Sequence, residues 1–291
     1  MSAFKKTAIM DQQIINLYDE YTHKPLPRRE FLERLAKLTG GMAAALAVLP
    51  LIETSCVAGA KTQGDNLHTE YVTWAGVNGE MKGYLARPKK RKKYAAVVVI
   101  HENRGLNAHL EDVARRAAKA GYLALASNAL APLGGTPANE DDARQLFTTL
   151  KPEESLQNFI RAFDHLEKRE DCNGSFGCVG FCWGGAMSNN LAVNVPKLKA
   201  AVAFYGRQPE ATDVPKIKAA VQLHYAEMDE RVNARMAAYE EQLKTAGVKY
   251  EQHLYPGVQH AFHNDTSTAR YNEAAAKLAW ERTLAFFGKH L

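Results

Sequence analysis

The sequence lacks a strong bias of charge. Its 37 Lys and Arg stand against 32 Asp and Glu, a formal net charge of +5 over 291 residues, which is no footprint of a nucleic-acid-binding chain. The one basic run, Lys89-Lys90-Arg91-Lys92-Lys93, follows Pro88 between two strand-like segments and reads as a solvated connection rather than a nuclear address or phosphate patch. Cysteine is scarce too. Four residues in a chain of this size make no disulfide scaffold, and a Cys172–Cys178 bridge is less expected than two free thiols. No internal repeat and no linker interrupts residues 61–291, so one domain is the economical division. The chain is long enough, and at 46% hydrophobic apolar enough, to bury a full core.

The first 60 residues differ from the rest. Asp11 to Tyr21 reads as a polar helix. Pro27-Arg28-Arg29-Glu30-Phe31-Leu32 then precedes an uncharged run of 15 residues, Leu38 to Ile52, short of the ~20 that a spanning helix needs. Ala58-Gly59-Ala60 offers small residues for cleavage. The segment resembles a twin-arginine export signal, which implies the twin-arginine machinery as a partner and a periplasmic or secreted protein. A buried N-terminal helix in a cytoplasmic protein is the competing reading. Pro27 replaces the usual Ser or Thr, Glu33 stands where Lys is common, and Glu53 argues against lipid attachment at Cys56.

From residue 61 onward the pattern alternates between strand and helix. Thr69 to Ala75 and Gly79 to Arg87 suit an antiparallel hairpin at a sheet edge, and Tyr94 to Ile100 is the β-branched run of a strand buried on both faces. Helical periodicity over Asn107 to Ala120, a stop at Gly121 and a strand over Tyr122 to Ser127 complete one βαβ unit. Asn128 to Asn139 is loop, and Glu140 to Leu150 and Glu153 to Arg169 are helices. Further strands are expected at Phe176 to Phe181, Ala200 to Tyr205, Ala219 to Tyr225 and Tyr250 to Tyr255. Helices are expected over Ala186 to Val195, Asn233 to Ala246 and Ala269 to Phe287. The implied fold class is α/β, a mostly parallel sheet covered by helices on both faces.

Ligands of such sheets bind beyond the carboxyl ends of the strands. Four segments at those ends carry chemistry: His101-Glu102-Asn103-Arg104-Gly105, Cys182, Ala226-Glu227-Met228-Asp229 and Pro256-Gly257-Val258-Gln259-His260. Gly180-Phe181-Cys182-Trp183-Gly184 has the spacing of a nucleophile elbow, although a buried cysteine in a tight turn has it as well. Gly180 and Gly184 leave room for the strained turn, and the following helix aims its N-terminus at the sulfur. Cys182, Asp229 and His260 follow the order nucleophile, acid, histidine used by α/β-hydrolases. His260 is then the base, Asp229 its orienting carboxylate, and the backbone N–H groups of Trp183 and Asn103 the oxyanion donors. Glu227 is the alternative acid. His101-Glu102 lacks the second histidine of a zinc-protease helix, because Gly105 occupies its place. His260 and His263 lie in a loop without a third ligand, so neither a metal nor a cofactor is expected. His224 reads as a satisfied core histidine.

Four pieces together resemble the dienelactone hydrolase family, the carboxymethylenebutenolidases: His101-Glu102 with Gly105, Gly180 through Gly185, Asp229 with Val232, and His260-Ala261-Phe262. The resemblance covers roughly residues 70 to 288. It implies an α/β-hydrolase fold, a small-molecule ester or lactone as substrate, a thioester acyl-enzyme on Cys182, and Glu102 as the group that helps form the thiolate. Two arginines that grip a substrate carboxylate in dienelactone-cleaving members have no counterpart, since Asn128 to Gly134 contains none and Asn264 holds the second position. Arg104 and Arg207 are the candidate substitutes, with a surface salt bridge as the default for each. The competing class is a non-catalytic or redox-sensing protein on the same scaffold, with Cys182 as its sensor thiol.

Overall fold

The β-branched run expected to be buried on both faces is a strand, β3 (Tyr94–Ile100), with every residue buried. It lies inside an eight-stranded sheet in this computed structural model, which describes residues 11–24, 26–53 and 66–291. The other strands are β1 (Leu67–Ala75), β2 (Glu80–Pro88), β4 (Leu123–Asn128), β5 (Cys172–Phe181), β6 (Leu198–Phe204), β7 (Ala220–Ala226) and β8 (Tyr250–Tyr255), in the spatial order β1-β2-β4-β3-β5-β6-β7-β8. β1 and β2 form the expected antiparallel edge hairpin, β2 runs antiparallel to β4, and every later pairing is parallel.

Helices cover both faces, as a parallel sheet requires. Helices α6 (Pro152–Glu167), α7 (Trp183–Asn194) and α9 (Met236–Thr245) pack Phe159, Phe163, Leu191 and Leu243 on one face. Helices α4 (Ala108–Lys119) and α10 (Glu273–His290) pack Leu110, Val113, Phe286 and Phe287 on the other. Two short helices, α5 (Glu140–Phe147) and α8 (Glu230–Asn233), sit in the connections at the carboxyl ends of the strands. The Asn107 side chain caps α4 by accepting from the Leu110 N–H at 3.2 Å. Helix α7 starts three residues earlier than expected, directly after Cys182, because the glycine pair 184–185 is helical here despite its low propensity.

The N-terminal segment is folded onto the body. Helices α1 (Gln12–His23), α2 (Arg28–Thr39) and α3 (Met42–Ile52) share a small core of their own around Tyr18, Tyr21, Phe31, Leu35 and Leu49. The uncharged run expected as one stretch is broken at Gly40-Gly41, where α2 and α3 meet at 106°, and among the described residues no single helix is long and apolar enough to cross a membrane. Ala58-Gly59-Ala60, the expected cleavage region, and Cys56 lie outside the described residues. Several bonds tie the arm down. The Tyr21 hydroxyl donates to Asp141 at 2.6 Å, the Asn103 amide donates to the Thr22 carbonyl at 2.7 Å, and the Arg144 guanidinium lies 4.0 Å from the Tyr21 ring centre. Arg28, the first of the arginine pair, is bonded to Asp141 and lies 3.5 Å from Glu53.

Candidate active site

Cys182 sits where β5 turns into α7, with φ 56° and ψ −112°. A side chain in that region is strained, and small neighbours are what make the turn possible. Among the described residues only three non-glycines have such a positive φ: Cys182, Tyr205 (38°) and Ala261 (65°). All three lie at the site, since Tyr205 follows β6 beside Cys182 and Ala261 follows His260. Trp183 opens α7, so its N–H belongs to the unpaired first turn beside the sulfur.

His260 and Asp229 arrive from the ends of β8 and β7. Both are buried, and His260 Nδ1 lies 2.5 Å from Asp229 Oδ2. The other carboxylate oxygen accepts from the Val232 N–H at 3.2 Å, which fixes Asp229 as the cap of α8. Glu227, the alternative acid, instead accepts from the Gly257 N–H at 2.7 Å. His260 Nε2 is buried without a hydrogen-bond partner and faces the sulfur, with Cys182 Sγ, His260 and His23 offering heteroatoms within 4.8 Å of one another.

His23 was not among the expected site residues. It ends α1, and its Nε2 lies 3.1 Å from Cys182 Sγ, while Nδ1 lies 3.1 Å from Asp19 Oδ1. Its ring meets that of His260 edge-on, 4.9 Å between centres. Burial of Cys182 works against a thiolate, but the imidazoles of His23 and His260 outweigh it and bring the thiol down to about 6. Burial likewise opposes charge on His260, yet Asp229 and the sulfur hold its pKa well above the ordinary value. The other described cysteines, Cys172 and Cys178, are free as expected, and burial pushes Cys178 up to about 12.

Glu102 reaches the small pocket that Cys182, His23 and His260 share, but its Oε2 accepts from the Asn264 amide at 2.7 Å. Asn264, noted in the sequence as a missing arginine, therefore holds the glutamate. The group bonded to the sulfur is His23. Asn103 lines the same cavity as Cys182 and Trp183, about 440 Å³ in volume, walled also by Phe147, Tyr205 and Arg144. Arg207 lines it as well and keeps the surface salt bridge expected of it, 3.1 Å to Glu210. Arg104 departs from its default: it is buried, with Nε 2.9 Å from Glu140 Oε1.

His101, His224 and His263 are structural. His101 Nδ1 donates to the Glu102 carbonyl at 2.5 Å and its Nε2 accepts from the Ala129 N–H at 3.0 Å. Burial lowers it to about 4, so it is a neutral brace, and its ring stacks on Trp183 at 5.6 Å. Trp183 is thus packed on one side and part of the cavity wall on the other. His224 is buried and bonded to Tyr255, Gln222 and Thr283 as a core residue. His263 is packed on Phe181, 4.9 Å between ring centres. A larger recess of about 660 Å³ lies at the opposite end of the sheet, walled by the basic run and by Arg169 and Asp171, and it holds no nucleophile.

Comparison with known proteins places the chain among hydrolases. A protein from Salmonella typhi named "Putative carboxymethylenebutenolidase" is 31% identical over 227 residues, 72% of this chain and 83% of that protein. The "Putative hydrolase fragment YghX" of Escherichia coli K12 is 54% identical over 86 residues, 28% of this chain and 74% of the fragment. A crystal structure described as a dienelactone hydrolase from Klebsiella pneumoniae, also labelled putative, superposes with a TM-score of 0.70 at 26% identity, covering 77% of this chain and 99% of its own. Residues 1–41 match a separate family described as YqhI-like. Residues 81–291 match the model of the dienelactone hydrolase family, and with that match the chain belongs to this family of hydrolases on an α/β-hydrolase fold.

Proposed function

We propose that the protein hydrolyses a small-molecule ester or lactone through a thioester on Cys182, with His260 as acid and base and Asp229 as its orienting carboxylate. The observation that carries this reading is the elbow sulfur itself, set at the start of α7 and within 4.8 Å of an unpartnered, carboxylate-backed imidazole, with the neighbouring imidazoles drawing the thiol's pKa down. The sulfur lone pair forms the S–C bond to the acyl carbon. The C–O bond breaks, and its electron pair leaves on the alkoxide oxygen, which takes the proton from His260 Nε2. Water then gives a proton to His260, its oxygen bonds to the acyl carbon, and the C–S bond breaks to restore the thiolate. The N–H groups of Trp183 and Asn103 are the proposed donors to the oxyanion of each tetrahedral intermediate. Lys24, Arg144, Arg207 and Arg231 on the cavity wall favour an acyl group carrying negative charge, although each also has an acidic neighbour.

The test is mass spectrometry of the full chain mixed with p-nitrophenyl acetate. An acetyl adduct on Cys182, formed in a burst equal to the enzyme concentration and then turned over, is the expected result. Reversible oxidation of Cys182 without turnover of any ester or lactone would instead favour the sensor reading.

Export remains part of the proposal, resting on Arg28-Arg29 and the uncharged run behind them. A chain exported with residues 12–52 still attached accommodates both the signal and the folded arm. With Arg28→Lys and Arg29→Lys together, fractionation of cells should find the protein held in the cytoplasm. Undiminished export would remove the twin-arginine reading.

A further inference from the structure

We propose that His23, carried on the N-terminal arm and backed by Asp19, is a second catalytic imidazole of the Cys182 site, so that the arm completes the active site. This rests on the thioester reading above but is tested independently of turnover. The sulfur lies between two histidines, each held from behind by its own aspartate. His260 is anchored at Nδ1 by Asp229, and His23 Nδ1 is hydrogen-bonded to the Asp19 carbonyl at 2.9 Å, with Thr22 Oγ1 at 2.9 Å and the Asp19 carboxylate as a charged neighbour at 3.1 Å. An imidazole whose Nδ1 faces two acceptors keeps a proton there, which orients Nε2 on the sulfur 3.1 Å away. Asp19 is placed in turn by Arg231, 3.4 Å away, so the body of the protein holds the arm's carboxylate.

The arm walls the cavity without filling it. Thr22, His23 and Lys24 form one side of the 440 Å³ space that reaches Cys182, and room for an acyl group remains with the arm in place. Its docking uses buried aromatic side chains and directed hydrogen bonds at Asp141, Asn103 and Arg144, which set the position of His23. Glu102, the residue to which the family resemblance gave the thiolate-forming role, is held by Asn264.

The two imidazoles divide the work. His23 stays an imidazolium throughout, its Nδ1–H on the Asp19 carbonyl and its Nε2–H donated to the sulfur, holding it as thiolate before attack and again when the C–S bond breaks. His260, less committed to the resting thiolate, delivers its proton to the departing alkoxide and recovers it from water. The other ionisable groups around the sulfur are Tyr205 and Glu102, with Arg104 and Arg270 lining the small pocket on that side. Lys24, Arg144, Arg207 and Arg231 line the larger cavity.

The experiment is thiolate titration by ultraviolet absorbance on the full chain in the presence of EDTA, with Cys182→Ser as the blank, alongside the rate of the acetylation burst. In His23→Gln the titration midpoint should rise from about 6 toward the ~8.5 of an unassisted thiol, and acetylation at pH 7 should fall about ten-fold or more and recover at pH 9. Asp19→Asn, which keeps the imidazole and removes its carboxylate, should move the midpoint in the same direction by less. A folded His23→Gln protein with an unchanged midpoint and an unchanged burst overturns the proposal. If His23→Gln does not fold, an unchanged midpoint in Asp19→Asn does so. Because the titration needs no substrate, a wild type that cleaves no ester would sink the hydrolase reading while still reporting the coupling of His23 to the sulfur. A midpoint moved by His260→Ala but not by His23→Gln would leave the triad standing without its second imidazole.

Discussion

Cys182→Ala should lose ester turnover by about 10⁴-fold or more while its thermal unfolding stays at or slightly above that of the wild type. Rate depends on the sulfur because, among the described residues, it is the thiol at the start of α7 that lies within 4.8 Å of a ring nitrogen of His260. The unfolding temperature is expected to hold because the thiol adds little packing. It is the cap of a strained turn, and alanine keeps the Cβ while losing a buried charge. His260→Ala should cost a similar factor, and the double variant little more, since residues acting as one unit are not additive. Initial rates with p-nitrophenyl acetate and a calorimetric scan on the same sample check both halves. Turnover within ten-fold of wild type in Cys182→Ala would remove the thioester mechanism altogether.

The second large effect lies in the backbone behind the sulfur. A Cβ at Gly180 would stand 1.9 Å from the Gly184 carbonyl oxygen and 2.7 Å from Ser188 Oγ. The obstructing atom belongs to the backbone of α7, and the strand carrying Gly180 is bonded to β3 on one side and β6 on the other, so neither partner can yield. Gly180→Ala should therefore lose about 3 kcal/mol or more, at the upper end of overpacked cores. For a domain of this size that is a fall of roughly 6 to 12 °C in Tm. Gly288→Ala is the control. Its Cβ meets nothing within 4 Å in α10, so a gain of ~0.5–1 kcal/mol is expected there. An unchanged Tm in Gly180→Ala would mean that the elbow has room for a methyl group behind the sulfur.

Much of the scaffold is legible in the sequence because it is written locally. The run Tyr94 to Ile100 is apolar throughout and β-branched from Val97 onward, and its strand boundaries match. The edge hairpin shows in its alternation, and the four site loops follow from knowing which strand ends share an edge of a parallel sheet. The strand leading to Cys182 nevertheless begins four residues before the expected Phe176, since Cys172 to Ser175 look like a polar turn and only Cys172 of them pairs with β3, opposite Tyr94 and ahead of a register shift. His23 is the larger omission. Asp19 and His23 are four apart on a polar helix, a spacing that ordinarily makes a solvated pair, and the sulfur they meet is 159 residues away. The arginine pair and the uncharged run drew attention to what the segment resembles, and nothing local announces a docking face. Only Tyr18, Tyr21 and Phe31, too aromatic for a solvated leader, carried a signal that could have been weighed.

The concentration of positive φ angles at Cys182, Tyr205 and Ala261 has a consequence for how such a chain can drift. Each is a side chain held where glycine would rest more easily, at roughly 1–3 kcal/mol apiece. Glycine would relieve the strain at Cys182 and Ala261, whereas at Tyr205, one of the largest fully buried side chains, the packing lost would outweigh the strain relieved. At Cys182, then, the substitution that relaxes the backbone is the same one that removes the nucleophile.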